Sequence, residues 1–223
     1  MRDLFTSDFR AEPYWWDSAP LSPPTESDPT GAVDVAVIGS GYTGLHAALR
    51  TARAGRSTLV LDAGAIGSGA STRNGGQIST SVKPSRKTLT RRYGAGLAAE
   101  IEEEGRNSLS YIKDFVAEEG ITCDFKVPGR FHGAHCKRHF RRLVRDAAGA
   151  DAVVVPRSEQ HAELGTDAYH GGLVFPHHAS VNPGLYHRGL LQRARSAGVE
   201  LVSHCPVTRI DRNAKGFLLE TAR

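Results

Sequence analysis

Two short apolar runs flank an amphipathic stretch near the start of the chain. Residues 33–38 form a β-branched run that stops at Gly39, and residues 58–61 form a second apolar run that stops at Asp62. Between them, residues 42–53 place small and apolar side chains at helical spacing. A strand, a tight turn, a helix and a second strand in this order predict a βαβ unit with parallel strands.

The remaining pattern predicts further helices and strands, so the fold class is α/β. Residues 63–81 carry few apolar side chains and are expected to form a long loop, which is usually functional when it lies inside a compact domain. The pattern predicts helices over 97–119, 136–148 and 182–197, strands over 122–127, 130–135, 153–155 and 199–203, and an antiparallel hairpin of 206–212 with 216–221.

Residues 1–31 are predicted to be an irregular arm, because repeated prolines exclude both a regular helix and a sheet ladder. Tyr14, Trp15 and Trp16 stand next to one another in this arm. Large aromatic side chains are costly to leave in water, so we expect these three to dock the arm onto the body of the protein.

The composition is that of an ordinary folded protein, with 39% hydrophobic and 23% charged residues in a chain of 223. A net charge of +4 does not favour a nucleic-acid partner. The 3 cysteines lack C-x-x-C spacing, which indicates a reducing compartment. The chain also lacks a signal peptide or a long apolar run, so we expect a cytoplasmic protein without a membrane span.

Residues 39–44 read Gly-Ser-Gly-Tyr-Thr-Gly and fit the dinucleotide fingerprint G-x-G-x-x-G between a strand and a helix. In this fingerprint Gly39 allows the tight turn, Gly41 lets the backbone approach a pyrophosphate, and Gly44 lets helix and strand pack closely. The free N–H groups of the helix N-terminus then face the phosphates. Asp62 can accept hydrogen bonds from ribose hydroxyls and disfavours the 2′-phosphate of NADP.

The loop after Asp62 narrows the choice of dinucleotide. Residues 67–77 read Gly-Ser-Gly-Ala-Ser-Thr-Arg-Asn-Gly-Gly-Gln. Small residues of this kind can lay backbone N–H groups along a pyrophosphate and leave room for a flat flavin ring system. A NAD-binding dehydrogenase usually enters a helix at this point, so the loop favours FAD over NAD.

The fingerprint, Asp62 and the 69–77 run together resemble the D-amino-acid-oxidase-like FAD-dependent oxidoreductases, and within them a branch similar to gamma-glutamylputrescine oxidase. The resemblance implies a Rossmann-like, doubly wound FAD-binding domain with part of a mixed α+β substrate-binding domain. It also implies oxidation of a C–N bond of a small-molecule amine or amino acid, with hydride transfer to the flavin, imine hydrolysis and reoxidation by oxygen.

The resemblance also implies which residues hold FAD and how the chain is divided. No catalytic residue and no metal ligand is assigned. The expected divisions are the arm 1–31, an FAD-binding unit 32–120, a partial substrate-binding domain 121–181, and a return to the FAD-binding domain over 182–223. The cofactor-binding residues implied are Gly39, Gly41, Tyr42, Thr43, Gly44, Asp62, Ala63, Gly69, Ser71, Arg73, Asn74, Gly75, Gly76, Gln77 and, against the adenine, Val207.

Members of this family are considerably longer than this chain, so the resemblance implies a truncated, N-terminal half. Two alternatives to a complete enzyme follow. The chain is a non-catalytic fragment, or it is one half of a two-chain flavoprotein whose partner chain supplies the missing C-terminal half.

Two further clusters are interpreted as structural. His132, His135, Cys136 and His139 lack zinc-type spacing, so no metal site is predicted. The predicted helix 136–148 is rich in Lys and Arg opposite an apolar stripe, so we expect these charges to form its solvated face.

Overall fold

The computed structural model describes residues 5–25, 28–29, 31–80, 82–147 and 151–222; the predicted start of the arm at 1–4 and the predicted helix end at 148 lie outside them. The chain forms two compact units. The first combines Met1–Gly75, Glu119–Cys123 and Asn182–Arg223, and the second combines Gly76–Glu118 and Asp124–Val181.

The regular elements are named here in chain order. They are β1 (Val35–Ile38), α1 (Tyr42–Arg53), β2 (Thr58–Leu61), β3 (Gln77–Ile78), α2 (Arg86–Glu118), β4 (Arg130–Gly133), α3 (Lys137–Asp146), β5 (Val153–Val155), β6 (Gly172–Phe175), β7 (Ala179–Ser180), α4 (Pro183–Ser196), β8 (Glu200–Val202), β9 (Val207–Asn213) and β10 (Gly216–Thr221), with 3₁₀ turns at Tyr14–Trp16, Ala70–Thr72 and Gln160–Ala162.

The first unit is built on a parallel sheet in the order β1-β2-β8. The predicted βαβ unit is therefore confirmed. Because β2 lies in the centre, all four of its side chains are buried, whereas the edge strand β1 leaves Ile38 54% exposed. Helices α1 and α4 pack on each other, and Leu45 and Leu190 are completely buried. The side chain of Asn182 caps α4 by accepting from the Leu185 N–H.

The predicted C-terminal hairpin is also confirmed, as β9 pairs antiparallel with β10. Val207 and Leu219 pack against a buried cluster formed by Leu59, Val202 and Cys205 together with Leu61. The hairpin also leaves several apolar side chains exposed, including Ile210, Phe217 and Leu218.

The arm is held by two of its three aromatics. The indole of Trp15 donates to the Asn74 carbonyl at 2.7 Å, and that of Trp16 donates to Thr72 Oγ1 at 2.9 Å. Tyr14 does not dock as predicted, because it remains 78% exposed. Further along the arm, the Thr25 N–H donates to Ser203 Oγ at 2.8 Å.

The second unit contains an antiparallel sheet in the order β4-β6-β5 and the short pair β3-β7. The central strand β6 has no counterpart among the predicted strands. Helix α2 begins eleven residues earlier than the predicted residue 97, because its first part carries little apolar periodicity. The two parts meet at a kink where Gly94 has a φ of 83°.

The predicted strand over 122–127 is wrong. Within it only Lys126 pairs, in an isolated antiparallel bridge with Ser180. Asp124 has a φ of 54°, a left-handed conformation that interrupts an extended run. No helix among the described residues is long and apolar enough to span a membrane.

Candidate functional site

The turn between β1 and α1 has the geometry that the fingerprint requires. Gly39 adopts a φ of 95°, which favours glycine. A Cβ on Gly44 would lie 2.0 Å from the Gly39 carbonyl oxygen, so only glycine allows α1 to approach the turn this closely. The roles assigned to these two glycines from the sequence thus have a direct structural basis.

The N-terminus of α1 is open to an anion. Its N-cap is Gly41, which offers no side-chain cap, and the first turn contains no acidic residue. A Cβ on Gly41 would lie 3.0 Å from Ser71 Oγ, which also accepts the Tyr42 N–H at 3.1 Å. A positive helix end whose N-cap has no side chain and whose first turn holds no acidic residue suits a phosphate group.

Asp62 lies at the end of β2 with its carboxylate directed at the backbone around it. Oδ2 accepts from the Ser40 N–H at 2.8 Å and from the Ser40 hydroxyl at 2.5 Å. Oδ1 accepts from the Gly64 N–H at 2.9 Å. A carboxylate oxygen accepts two hydrogen bonds, so Oδ1 retains capacity for a ribose hydroxyl.

The loop that follows β2 is folded rather than extended. Thr72 Oγ1 donates to the Gly67 carbonyl at 2.6 Å, and the Asn74 side-chain amide donates to the carbonyls of Ala70 and Ser71 at 3.1 and 3.0 Å. These bonds stabilise the loop around the 3₁₀ turn, in which Ser71 contacts the start of α1. The side chain of Asn74 is therefore occupied in shaping the loop.

Tyr42 contributes its side chain to packing. Its hydroxyl donates to the Pro183 carbonyl at 3.0 Å, and its ring meets Tyr186 edge-on at 5.0 Å between centroids. Burial raises the pKa of the Tyr42 phenol to about 12. The side chain of Tyr42 therefore anchors α1 to α4.

The other predicted cofactor residues fall in several places. Val207 begins β9 and packs on the core, while Gly76 and Gln77 belong to the second unit, where the Gly76 carbonyl accepts from Val181 and Gln77 pairs with Ser180. The exposed positions are Thr43, Ala63, Gly69, Arg73 and Gly75, with the Arg73 Nε donating to the Gly69 carbonyl at 3.3 Å.

Sequence reasoning missed two residues of this site. Ser40 occupies one of the positions at which the fingerprint allows any residue, so the motif gives no sign that this serine matters. In the structure its side chain is completely buried. His187 is 4% exposed on α4 and hydrogen-bonds to the Ser40 carbonyl. A signal for His187 did exist, since it lies on the same helical stripe as buried Leu191 and Ala194.

The clusters interpreted as structural lie in the second unit. The rings of His135 and His139 stack at 5.4 Å and that of His132 lies 6.0 Å from His139. Nowhere in the described part of the chain do three His, Cys, Asp or Glu residues converge as metal ligands. The Lys and Arg residues of α3 are exposed, as its predicted solvated face requires.

A cavity of about 760 Å³ also lies within the second unit. Its wall combines apolar Phe125 and Phe175 with several charged groups. Two of these groups are already paired, since Arg86 binds Glu102 at 2.9 Å and His177 lies 3.2 Å from Asp151.

The parallel sheet, the open helix end and Asp62 together define a dinucleotide-binding protein of the Rossmann type. A family model described as "DAO: FAD dependent oxidoreductase" matches residues 34–223. The chain belongs to this family, and the cofactor of the family is FAD, as predicted.

Among curated relatives, the chain is 31% identical over 195 residues to the probable oxidoreductase OrdL of Rhizobium meliloti, covering 84% of this chain and 45% of that protein. It is 38% identical over 98 residues to the gamma-glutamylputrescine oxidoreductase of Escherichia coli, covering 44% of this chain and 23% of that protein.

Solved structures confirm the predicted fold class. Glycine oxidase from Geobacillus kaustophilus superimposes with a TM-score of 0.72 at 21% identity, over 86% of this chain and 52% of the oxidase. L-α-glycerophosphate oxidase from Mycoplasma pneumoniae, solved with FAD bound, superimposes with a TM-score of 0.71 at 16% identity, over 86% of this chain and 50% of that oxidase. The chain thus spans about half the length of OrdL and of these two proteins.

Proposed function

We propose that this chain forms the dinucleotide-binding part of an oxidoreductase that uses FAD to oxidise a C–N bond of a small amine or amino acid. The observation that carries the proposal is the N-terminus of α1, which has glycine at its N-cap and no acidic residue in its first turn, and which packs against β1 through Gly44 and contacts Ser71. This arrangement provides backbone donors where a pyrophosphate is held in Rossmann-type folds.

The residues of the first unit divide the dinucleotide between them. Gly39, Gly41 and Gly44 hold the pyrophosphate, and Asp62 accepts a ribose hydroxyl at Oδ1. Ser71 and the loop shaped by Asn74 line the flavin end, and the backbone of Val207 meets the adenine. Bound FAD would supply the redox chemistry by accepting a hydride from the carbon attached to the substrate nitrogen, which leaves an imine for water to hydrolyse, with oxygen as the final electron acceptor.

The substrate class rests on relatives rather than on a pocket. Gamma-glutamylputrescine oxidoreductase, glycine oxidase and the L-amino acid deaminase of Proteus vulgaris all carry the name of an amine or amino acid. The runner-up is that the region spanned by this chain binds FAD without catalysis on its own. The chain spans 45% of OrdL.

The test is a titration of the purified chain with FAD, followed by visible absorbance and by quenching of flavin fluorescence. Saturable binding with bands near roughly 370 and 450 nm supports the proposal. Gly44→Val should weaken binding about a hundredfold, whereas Gly96→Ala, on α2 of the second unit, should leave it unchanged, because a Cβ there meets nothing within 4 Å. A wild-type chain that fails to bind FAD contradicts the proposal.

Anaerobic addition of amines and amino acids then separates catalysis from binding alone. Bleaching of the bound flavin by one substrate, with peroxide formed on admission of air, supports an oxidase. Bleaching without peroxide indicates another electron acceptor. A bound flavin that no substrate bleaches favours the non-catalytic alternative.

A further inference from the structure

Ser40 makes four polar contacts at the centre of the dinucleotide turn. Its N–H and hydroxyl both donate to Asp62 Oδ2, its Oγ accepts the Gly67 N–H at 3.0 Å, and its carbonyl contacts His187. Together the contacts join the turn to the end of β2, to the loop after it and to α4. The conformation of the turn therefore depends on groups outside the fingerprint.

His187 reaches this carbonyl from α4. Its Nε2 lies 2.7 Å from the Ser40 oxygen. A carbonyl oxygen only accepts, so Nε2 carries the proton and the ring is a donor. Burial lowers the pKa of His187, which favours the neutral ring with an unprotonated Nδ1.

The same imidazole also supports the loop after β2. A Cβ on Gly67 would lie 2.4 Å from His187 Cε1, so the Gly67 backbone lies directly on the ring. Gly67 has a φ of 80° and donates its N–H to Ser40 Oγ. One buried side chain thus contacts both loops of the proposed FAD site.

The rigid peptide bond carries this contact to Gly41. The Ser40 carbonyl and the Gly41 N–H belong to one planar trans peptide and point in opposite directions. Holding the carbonyl towards α4 therefore fixes the direction of the Gly41 N–H, at the N-cap of α1. This N–H is a donor that the fingerprint offers to a pyrophosphate.

We propose that His187 is a positioning residue of the FAD site, whose Nε2–H orients the Ser40–Gly41 peptide and whose ring supports Gly67. The proposal rests on the proposed function only in naming FAD as the ligand. The effect of His187 on the order of the two loops does not require FAD to be the ligand.

Three variants separate the hydrogen bond from packing. His187→Leu removes the donor, and His187→Gln places an amide N–H close to the position of Nε2. The matched control is Tyr186→Phe, on the same helix, which removes the hydrogen bond between the Tyr186 hydroxyl and His46 Nε2 at 2.7 Å. Tyr186 is 3% exposed, so burial is comparable with that of His187.

Hydrogen exchange without FAD measures the ordering directly. We expect the Ser40 and Gly67 amides of His187→Leu to exchange about tenfold faster than in the wild type, as loss of one buried hydrogen bond allows. Amides of central β2 should be unchanged. His187→Gln and Tyr186→Phe should retain wild-type exchange in both loops. Unchanged exchange in His187→Leu overturns the proposal.

FAD titration of the same variants measures the consequence. We expect the Kd to rise about tenfold in His187→Leu and to stay within about twofold in His187→Gln and Tyr186→Phe. Equal losses in the Leu and Gln variants would assign the effect to ring packing and overturn the donor role. If the wild type binds no FAD, the proposed function fails, while the exchange experiment still decides the role of His187.

A measurement on the wild type covers the case in which His187→Leu does not fold. ¹⁵N-labelled histidine spectra distinguish an Nε2–H from an Nδ1–H ring, and the signal is assigned by its absence in His187→Gln. A neutral Nε2–H tautomer supports the proposal. An Nδ1–H tautomer excludes the bond to Ser40 and overturns it.

Discussion

Two segments of this chain are rich in polar side chains. In one segment these side chains are buried and hydrogen-bonded, and in the other they are mostly exposed. In residues 39–77 the polar side chains of Ser40 and Thr72 are buried, at 0% and 2% exposure, and bind neighbouring backbone. In residues 132–145 the arginines lie exposed on α3, and the histidines contact mainly one another.

The difference shows that polar density alone does not make a site. Burying a polar group is costly unless it is hydrogen-bonded, and no buried side-chain nitrogen or oxygen of the described residues lacks a partner. The bonds in residues 39–77 therefore fix backbone positions that a ligand can use. Exposed charges are satisfied by water and fix little.

The largest expected effect tests whether the first segment depends on close packing. Gly44→Val should destabilise the chain by about 3 kcal/mol and weaken FAD binding about a hundredfold, because its Cβ would lie 2.0 Å from the Gly39 oxygen. Thermal unfolding and flavin titration measure the two effects. Gly96→Ala in α2 is the control, and its helix should gain up to about 1 kcal/mol. Equal behaviour of the two variants would contradict the packing argument.

A second substitution removes one hydroxyl from the buried network. Ser40→Ala leaves the Gly67 N–H without its acceptor and should cost about 1–3 kcal/mol in the free energy of unfolding, measured in urea. The control Ser108→Ala removes a serine hydroxyl that donates to the Glu104 carbonyl on an exposed face of α2. The comparison breaks if both variants lose the same stability.

The ion pair of Glu119 and Arg53 is buried to an intermediate degree. The dependence of its stabilising effect on pH therefore tests how burial determines the contribution of a polar group. The Glu119 carboxylate binds Arg53 at 2.5 and 2.9 Å and its side chain is 15% exposed. The bond from Arg53 lowers the pKa of Glu119. Its stabilisation is therefore present above about pH 4.5 and is lost as pH falls through the folded-state pKa.

Glu119→Gln should cost about 1 kcal/mol at pH 7 and flatten the dependence of stability on pH between about 5 and 3. Urea unfolding across this range is the measurement. Glu118→Gln, one residue earlier and exposed, serves as the control. A Glu119 variant that keeps the wild-type pH profile would contradict the assignment.

The smallest effect is expected in the exposed segment. Arg141→Ala and His139→Ala should each change stability by less than about 0.5 kcal/mol and leave FAD affinity unchanged. Adding zinc should not raise the unfolding midpoint. Stabilisation by zinc that disappears in His139→Ala would show that the histidines do form a metal site.

Short-range patterns were sufficient to predict the βαβ unit, the roles of Gly39 and Gly44, and the family. They were insufficient where contacts between residues distant in the sequence determine the backbone conformation or the composition of the site. The segment 122–127 has strand-like composition, but Asp124 turns the backbone, and only Lys126 finds a partner. His187 acts on a turn 147 residues away, so no local pattern links it to the fingerprint.

The discontinuous first unit also sets an order of events during synthesis. Central β2 ends at residue 61 but completes its pairing only with β8, at Glu200–Val202. At typical rates of translation this interval lasts on the order of ten seconds. An apolar strand edge is thus open for far longer than a hairpin needs to form. The ribosome-bound chain is therefore most prone to aggregation before β8 emerges, and slower growth or a chaperone should raise its yield.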